Sequence, residues 1–175
     1  MQVKDIMSMS VQTCSPFDSL ETVAQRLWEH DIGVLPVIAA DGRPQAVITD
    51  RDICMAAYTR GKSLAQIQAK DAMSAAVVTC RSDDEIATAA RKMAKHQVRR
   101  LPVVDAGGRV VGILSMNDLA LAAGDPPARI DGAMATEALR VLSAACRHRE
   151  GVPVVAAKQA PVRARAHAAE AAAEI

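Results

Sequence analysis

Two short stretches carry residue types that can hold a ligand. Residues 49–52 read Thr-Asp-Arg-Asp, and residues 115–118 read Ser-Met-Asn-Asp. Each sets a carboxylate three positions after a hydroxyl, directly behind a strand-like apolar run. That spacing makes a helix N-cap with a capping box: the hydroxyl accepts from an N–H of the first turn, and the acid accepts from the cap's own N–H. Such a cap contributes about 1 kcal/mol and needs no ligand. The same geometry also makes an anion site, because a helix start presents free N–H groups and the positive end of the dipole. A carboxylate one turn in can accept both bonds of a ribose diol. The pattern therefore suits a sugar phosphate, with phosphate beside Thr49 or Ser115 and sugar beside Asp52 or Asp118. Arg51 lies in the first helical turn, where the dipole disfavours a cation. A bound phosphate would relieve that; so would pairing with Asp50 or with solvent. Asn117 stands at the matching place in the second stretch.

The two stretches belong to a duplication. Residues 4–57 and 70–123 align without a gap at an offset of 66. "KDIMSMSVQTC" matches "KDAMSAAVVTC", and "HDIGVLPVIAADGR" matches "HQVRRLPVVDAGGR". Each copy reads as strand, helix, strand, strand, helix. Short first strands are expected at Val11–Cys14 and Val77–Cys80. A helix follows in each copy, with an apolar stripe at Leu20, Val23, Ala24, Leu27 and Trp28, and at Ile86, Ala89, Ala90, Met93 and Ala94. Ser82 to Glu85 gives a capping-box signature, and Asp18 with Glu21 a looser one. "VLPVI" and "RLPVV" read as buried strands. Asp41-Gly42 and Gly107-Gly108 supply hairpin turns with positive φ. The expected fold is α/β, with two β-α-β-β-α units packed face to face because neither is large enough to stand alone. The expected division is residues 1–66, residues 67–124, and an Ala-rich extension over 125–175 with helical character.

Taken in order and twice over, these motifs resemble the tandem cystathionine-β-synthase (CBS) domain pair, or Bateman module. The carriers are "DIGVLPVIAADGRPQAVITDRDI" and "HQVRRLPVVDAGGRVVGILSMNDL", and the resemblance covers about residues 3 to 123. It implies two units about a pseudo-twofold axis with two clefts between them. It implies adenine nucleotides as regulatory ligands: AMP, ADP or ATP, and in some members S-adenosylmethionine or NAD. One cleft would use Thr49, Arg51 and Asp52, the other Ser115, Asn117 and Asp118. Thr13 and Thr79 would flank the base, and Val34 and Arg100 would line the pocket. The basic residue frequent in the family is absent from unit two, where Asn117 takes its place, so a single occupied cleft is one expectation. The resemblance further implies a homodimer that signals to a protein partner.

Bulk composition narrows the alternatives. The formal charge is +1 over 175 residues, and only Phe17, Trp28 and Tyr58 are aromatic. Neither a strong pull toward nucleic acid nor a stacking platform follows. No apolar run approaches the roughly 20 residues that span a bilayer, and the N-terminus lacks the apolar stretch of a signal peptide, so a cytoplasmic location is expected. Cys14, Cys54, Cys80 and Cys146 form no C-x-x-C pair and read as reduced thiols. His30 and His96 fall at helix ends, where solvent-facing histidine is the common case. Arg99 and Arg100 precede the second "LPV" strand; strand alternation predicts that at most one faces a given cleft. No P-loop, nucleophile elbow or HExxH occurs. No enzyme activity and no required cofactor are expected. Two rival readings are a structural dimer with empty clefts and a nucleic-acid binder using the tail with Arg99 and Arg100.

Overall fold

The computed structural model describes residues 1–124 and residue 143. The extension expected over 125–175 lies outside the described residues, residue 143 aside, and Cys146 with it. In unit one, helix α1 (Leu20–Glu29) is followed by strands β1 (Val34–Ile38) and β2 (Pro44–Thr49) and helix α2 (Asp50–Arg60). Unit two has strand β3 (Cys80–Arg81), helix α3 (Ile86–His96), strands β4 (Arg100–Val104) and β5 (Val110–Ser115), and helix α4 (Met116–Gly124). The protein is thus mixed α and β, two small sheets each backed by helices.

The hairpins are near copies. β1 pairs antiparallel with β2, and β4 with β5; a register shift falls at Val37/Ile38 and at the equivalent Val103/Val104. The turns require glycine: Gly42 has φ 83° and Gly108 φ 80°, a region costly for a residue with a Cβ. Both first helices end alike. Asp31 and Gln97, equivalent residues, take φ near +50°. Ile32 N–H then donates to Leu27 O at 3.0 Å and Val98 N–H to Met93 O at 3.1 Å, closing the helix end.

Several local expectations need correction. The first strand of unit one shrinks to a single parallel bridge between Cys14 and Val37, and that of unit two to Cys80–Arg81 beside β4. Trp28 leaves the apolar stripe: Leu20, Val23 and Leu27 are buried, but Trp28 is 87% exposed. The α1 cap is Ser19, whose hydroxyl accepts from Thr22 N–H at 3.2 Å. Asp18 instead accepts from Ser15 N–H and pairs with Arg26 at 2.8 Å. The α3 cap position falls on Glu85, with no side-chain cap bond. Asp84, not Ser82, closes the turn there by accepting from Arg81 N–H at 3.1 Å.

Two separate cores form, and each borrows from the other repeat. Leu20, Leu35, Val37 and Ile48 anchor the first, Met93, Leu101, Val103 and Leu114 the second. Val3, fully buried, belongs to the second core, while Ile67 and Ala69 belong to the first. The N-terminal segment reaches across to β5, where Ser8 bridges Ile113. Reciprocally, Ser74 N–H donates to Val47 O at 2.9 Å. Gly112 permits the first crossing, since a Cβ there would stand 2.8 Å from Met7 Sδ and 2.9 Å from Ser8 O. The hairpin tips also meet, with Val110 N–H donating to Gly42 O at 3.1 Å.

Candidate functional site

Each hydroxyl–acid pair closes as a capping box. Asp52 Oδ2 accepts from Thr49 N–H at 2.9 Å and from Thr49 Oγ1 at 2.7 Å. Asp118 Oδ2 accepts from Ser115 N–H at 2.7 Å and from Ser115 Oγ at 2.7 Å. In return, Thr49 Oγ1 accepts from Asp52 N–H and Ser115 Oγ from Asp118 N–H, both at 3.2 Å. Only Oδ2 is engaged in either box. Oδ1 of each acid takes no hydrogen bond among the described residues.

The second box lies in a cleft between the repeats. This cleft, of about 600 Å³, is lined from unit two by Arg100, Ile113, Ser115, Asn117 and Asp118. From the first repeat it takes Ser8, Ser10, Val11 and Gln12 of the crossing segment, and His30 to Val34 at the end of α1. Five of the anticipated residues thus converge: Val34, Arg100, Ser115, Asn117 and Asp118. Thr13 lines a neighbouring hollow of about 800 Å³, which shares Val11 and Gln12 with the cleft and contains the Asp18–Arg26 pair. Thr49, Arg51, Asp52 and Thr79 line neither the cleft nor this hollow. Arg51 is exposed, and its side chain makes no ion pair among the described residues; its backbone N–H donates to Asp50 Oδ1 at 2.7 Å.

A smaller polar cavity of about 260 Å³ adjoins the cleft. It shares Gly33, Arg100, Ser115 and Asn117 with it and adds Asp50, Arg99 and Met116. Both arginines line this smaller hollow, whereas only Arg100 lines the main cleft. Arg99 stands just ahead of β4, which begins at Arg100. Met116 N–H donates to Arg99 O at 3.0 Å, tying that residue to the start of α4.

Sequence reasoning did not single out Ser8, Ser10, Gln12, His30, Asp31 or Ile113 as cleft residues. The one available signal was the duplication: Val34 and Arg100 are equivalent positions, the first residues of β1 and β4, and both line the cleft. Elsewhere, burial pushes the Cys14 thiol up to about 12, with Asp18 adding to the shift and Arg26 opposing it. Burial does the same to Cys80, opposed by Lys92 and assisted by Asp84. Neither thiol is poised as a nucleophile. Among the described residues no cluster of three or more His, Cys, Asp or Glu could hold a metal, and no described helix is long and apolar enough to cross a membrane.

Duplicated capping boxes, crossing segments and a cleft between the repeats define a tandem pair of homologous units. The CBS domain model matches residues 3–58 and 69–125, and the chain belongs to the CBS-domain family. It is 34% identical over 119 residues to the CBS domain-containing protein YhcV of Bacillus subtilis, covering 68% of this chain and 83% of that one. It is 32% identical over 117 residues to protein MK0525 of Methanopyrus kandleri, covering 67% of this chain but only 60% of that one. Among solved structures, it resembles the CBS domain pair of MJ0100 in complex with 5′-methylthioadenosine and S-adenosyl-L-methionine, at 31% identity and a TM-score of 0.64, covering 73% of this chain and 98% of that one. It also resembles CBSX2 in complex with AMP, at 27% identity and a TM-score of 0.60, covering 70% and 95%.

Proposed function

We propose that this chain is a non-catalytic regulatory module that binds an adenosine-containing ligand between its two repeats and signals through a protein partner. The candidate ligands are AMP, ADP and ATP, together with S-adenosylmethionine and NAD. One observation carries the reading: Ser115 and Asp118 of unit two face Val34 and the crossing segment of unit one across a single cleft. A ligand seated there touches both repeats and so biases their packing. It does so only by its difference in affinity for the two arrangements. Asp118 Oδ1 takes the ribose, while Arg100 and the Ser115 hydroxyl take the 5′ substituent. The second set, Thr49, Arg51, Asp52 and Thr79, is assigned by duplication to the opposite cleft. The adenosyl ligands of MJ0100 and CBSX2 support the chemistry.

The module acts as a homodimer in the cytoplasm. Large apolar side chains stand exposed on three helices: Trp28 on α1 (87%), Met55 and Tyr58 on α2 (47% and 74%), and Leu121 on α4 (64%). Patches of this kind mark interaction surfaces. Calorimetric titration of the protein with AMP, ATP and S-adenosylmethionine tests the binding. Heat that is lost in Asp118→Ala supports the site; binding unaffected by both Asp118→Ala and Asp52→Ala overturns it. Sedimentation equilibrium of the protein and of Trp28→Arg tests the dimer.

A further inference from the structure

The two repeats differ in kind on their outer helices. At the offset of 66 that aligns them, Trp28 has Ala94 as its counterpart, Cys54 has Ala120, Glu29 has Lys95 and Gln25 has Arg91. The α1–α2 face of unit one carries bulk and negative charge. Trp28 is 87% exposed and Tyr58 74%. Between the two helices runs a groove of about 440 Å³, walled by Leu27, Trp28, Ile32 and Cys54 and rimmed by Asp31 and Asp50. Glu29, Asp31 and Asp50 are exposed, and none is in an ion pair among the described residues. Of the arginines on these helices, Arg26 and Arg60 pair with Asp18 and Asp71, which leaves Arg51 against three acids.

The α3–α4 face of unit two is the converse. Ala94 and Ala120 are small, and Leu121 is 64% exposed. Arg91, Lys95 and Arg99 are exposed cations in no ion pair among the described residues, and Glu85 at the head of α3 is the exposed acid against them. Like faces therefore fit badly. Pairing unit one with unit one sets acid on acid and Trp28 on Trp28, while unit two on unit two sets cation on cation with only alanine to fill the space, and poorly filled contacts lose dispersion energy. Unlike faces fit: the bulk of one meets the small residues of the other, and the charges are opposite. We infer that two copies associate head to tail, the α1–α2 face of each seated on the α3–α4 face of its partner. A twofold axis then makes the same contact twice. Asp31 lines the cleft and Arg99 the small cavity beside it, so the contact borders the ligand site. This inference rests on the homodimer reading above, which fixes neither the faces nor their order.

Sedimentation equilibrium of the full chain at rising sodium chloride gives the first test. Opposite charges across the contact predict a dimer that loosens with salt; one that is unchanged or tightens overturns the inference. Glu29→Gln combined with Asp31→Asn is expected to raise the dimer Kd about fivefold, the size of a few exposed charge pairs. A Kd unchanged or lowered, as relief of acid-on-acid repulsion would give, overturns it. The order of the units is read by cross-linking a mixture of isotope-labelled and unlabelled protein. Carbodiimide is expected to give mixed-isotope peptides that join Glu29 or Asp31 to Lys95. Efficient coupling of Cys54 to Cys54 by a short bismaleimide, in the Cys146→Ser background, means head-to-head packing and overturns the inference alone. A monomer at every concentration overturns the homodimer reading, and this inference with it.

Discussion

Ser8 and Ile113 hold one another through two backbone hydrogen bonds, each 3.0 Å, although they come from opposite repeats. Both also line the inter-repeat cleft. The contact that ties the N-terminal segment to unit two is therefore a wall of the proposed site.

Gly112 is the sensitive point of this tie. Gly112→Val puts carbon where Met7 Sδ and the Ser8 carbonyl now stand. Overpacking of this sort costs about 1–3 kcal/mol, and here it displaces the segment that walls the cleft. Urea denaturation is expected to show a lower midpoint, and ligand titration a weaker affinity than stability loss alone explains.

Val3 gives a companion test distant from the ligand. It is fully buried in the core of unit two. Val3→Ala is expected to destabilise the protein by about 2 kcal/mol through lost burial and an incompletely closed cavity. A loss below about 0.5 kcal/mol, the range of ordinary surface changes, would mean that the segment is not seated in solution.

The two capping boxes predict a contrast. Thr49→Ala and Ser115→Ala each remove a hydroxyl that accepts from the first turn, at a cost of about 1 kcal/mol. Melting temperatures should fall alike. Ser115→Ala should in addition weaken ligand binding, because that hydroxyl lines the cleft.

Acid stability should reflect the turn before α3. Burial raises the Asp84 carboxyl, but the Arg81 N–H and the Lys92 ammonium outweigh it and hold the group below its ordinary 3.8. A carboxylate depressed in the folded state stabilises the fold above its unfolded pKa, and that stability is lost as pH falls through the folded value. Urea midpoints are expected to drop as pH is lowered below about 4, and less steeply in Asp84→Asn.

Thiol chemistry gives an independent reading of burial. Cys54 is exposed, whereas Cys14 and Cys80 are buried with thiols raised to about 12. In a Cys146→Ser background, a maleimide at neutral pH is expected to label Cys54 alone. A thiol raised in the folded state favours the fold below its unfolded pKa of 9.0, and this contribution fades as pH rises toward 12. Alkaline denaturation should expose both buried thiols together.

Much of this architecture was legible because it is written twice. An offset that aligns turns, caps and strand cores fixes the elements of both units at once, and Gly42 and Gly108 fall where the turns demand. Periodicity was blind to the end of α1: Trp28 continues the stripe in spacing, yet it stands 87% exposed in the last turn while its neighbour Leu27 is buried. The site was legible in part. Val34, Arg100, Ser115, Asn117 and Asp118 do share a cleft. His30 to Gly33, and Ser8, Ser10, Val11 and Gln12, were not foreseen, because they reach it through packing between repeats, which no local pattern encodes.

The crossing of Val3 and Ser8 into one half, and of Ile67 and Ser74 into the other, has a consequence for dissection. Cutting the chain at its midpoint yields fragments that each carry a piece of the other's core and lack their own. Either piece alone should be poorly folded; mixed together, they should reassemble, with each supplying what its sibling is missing.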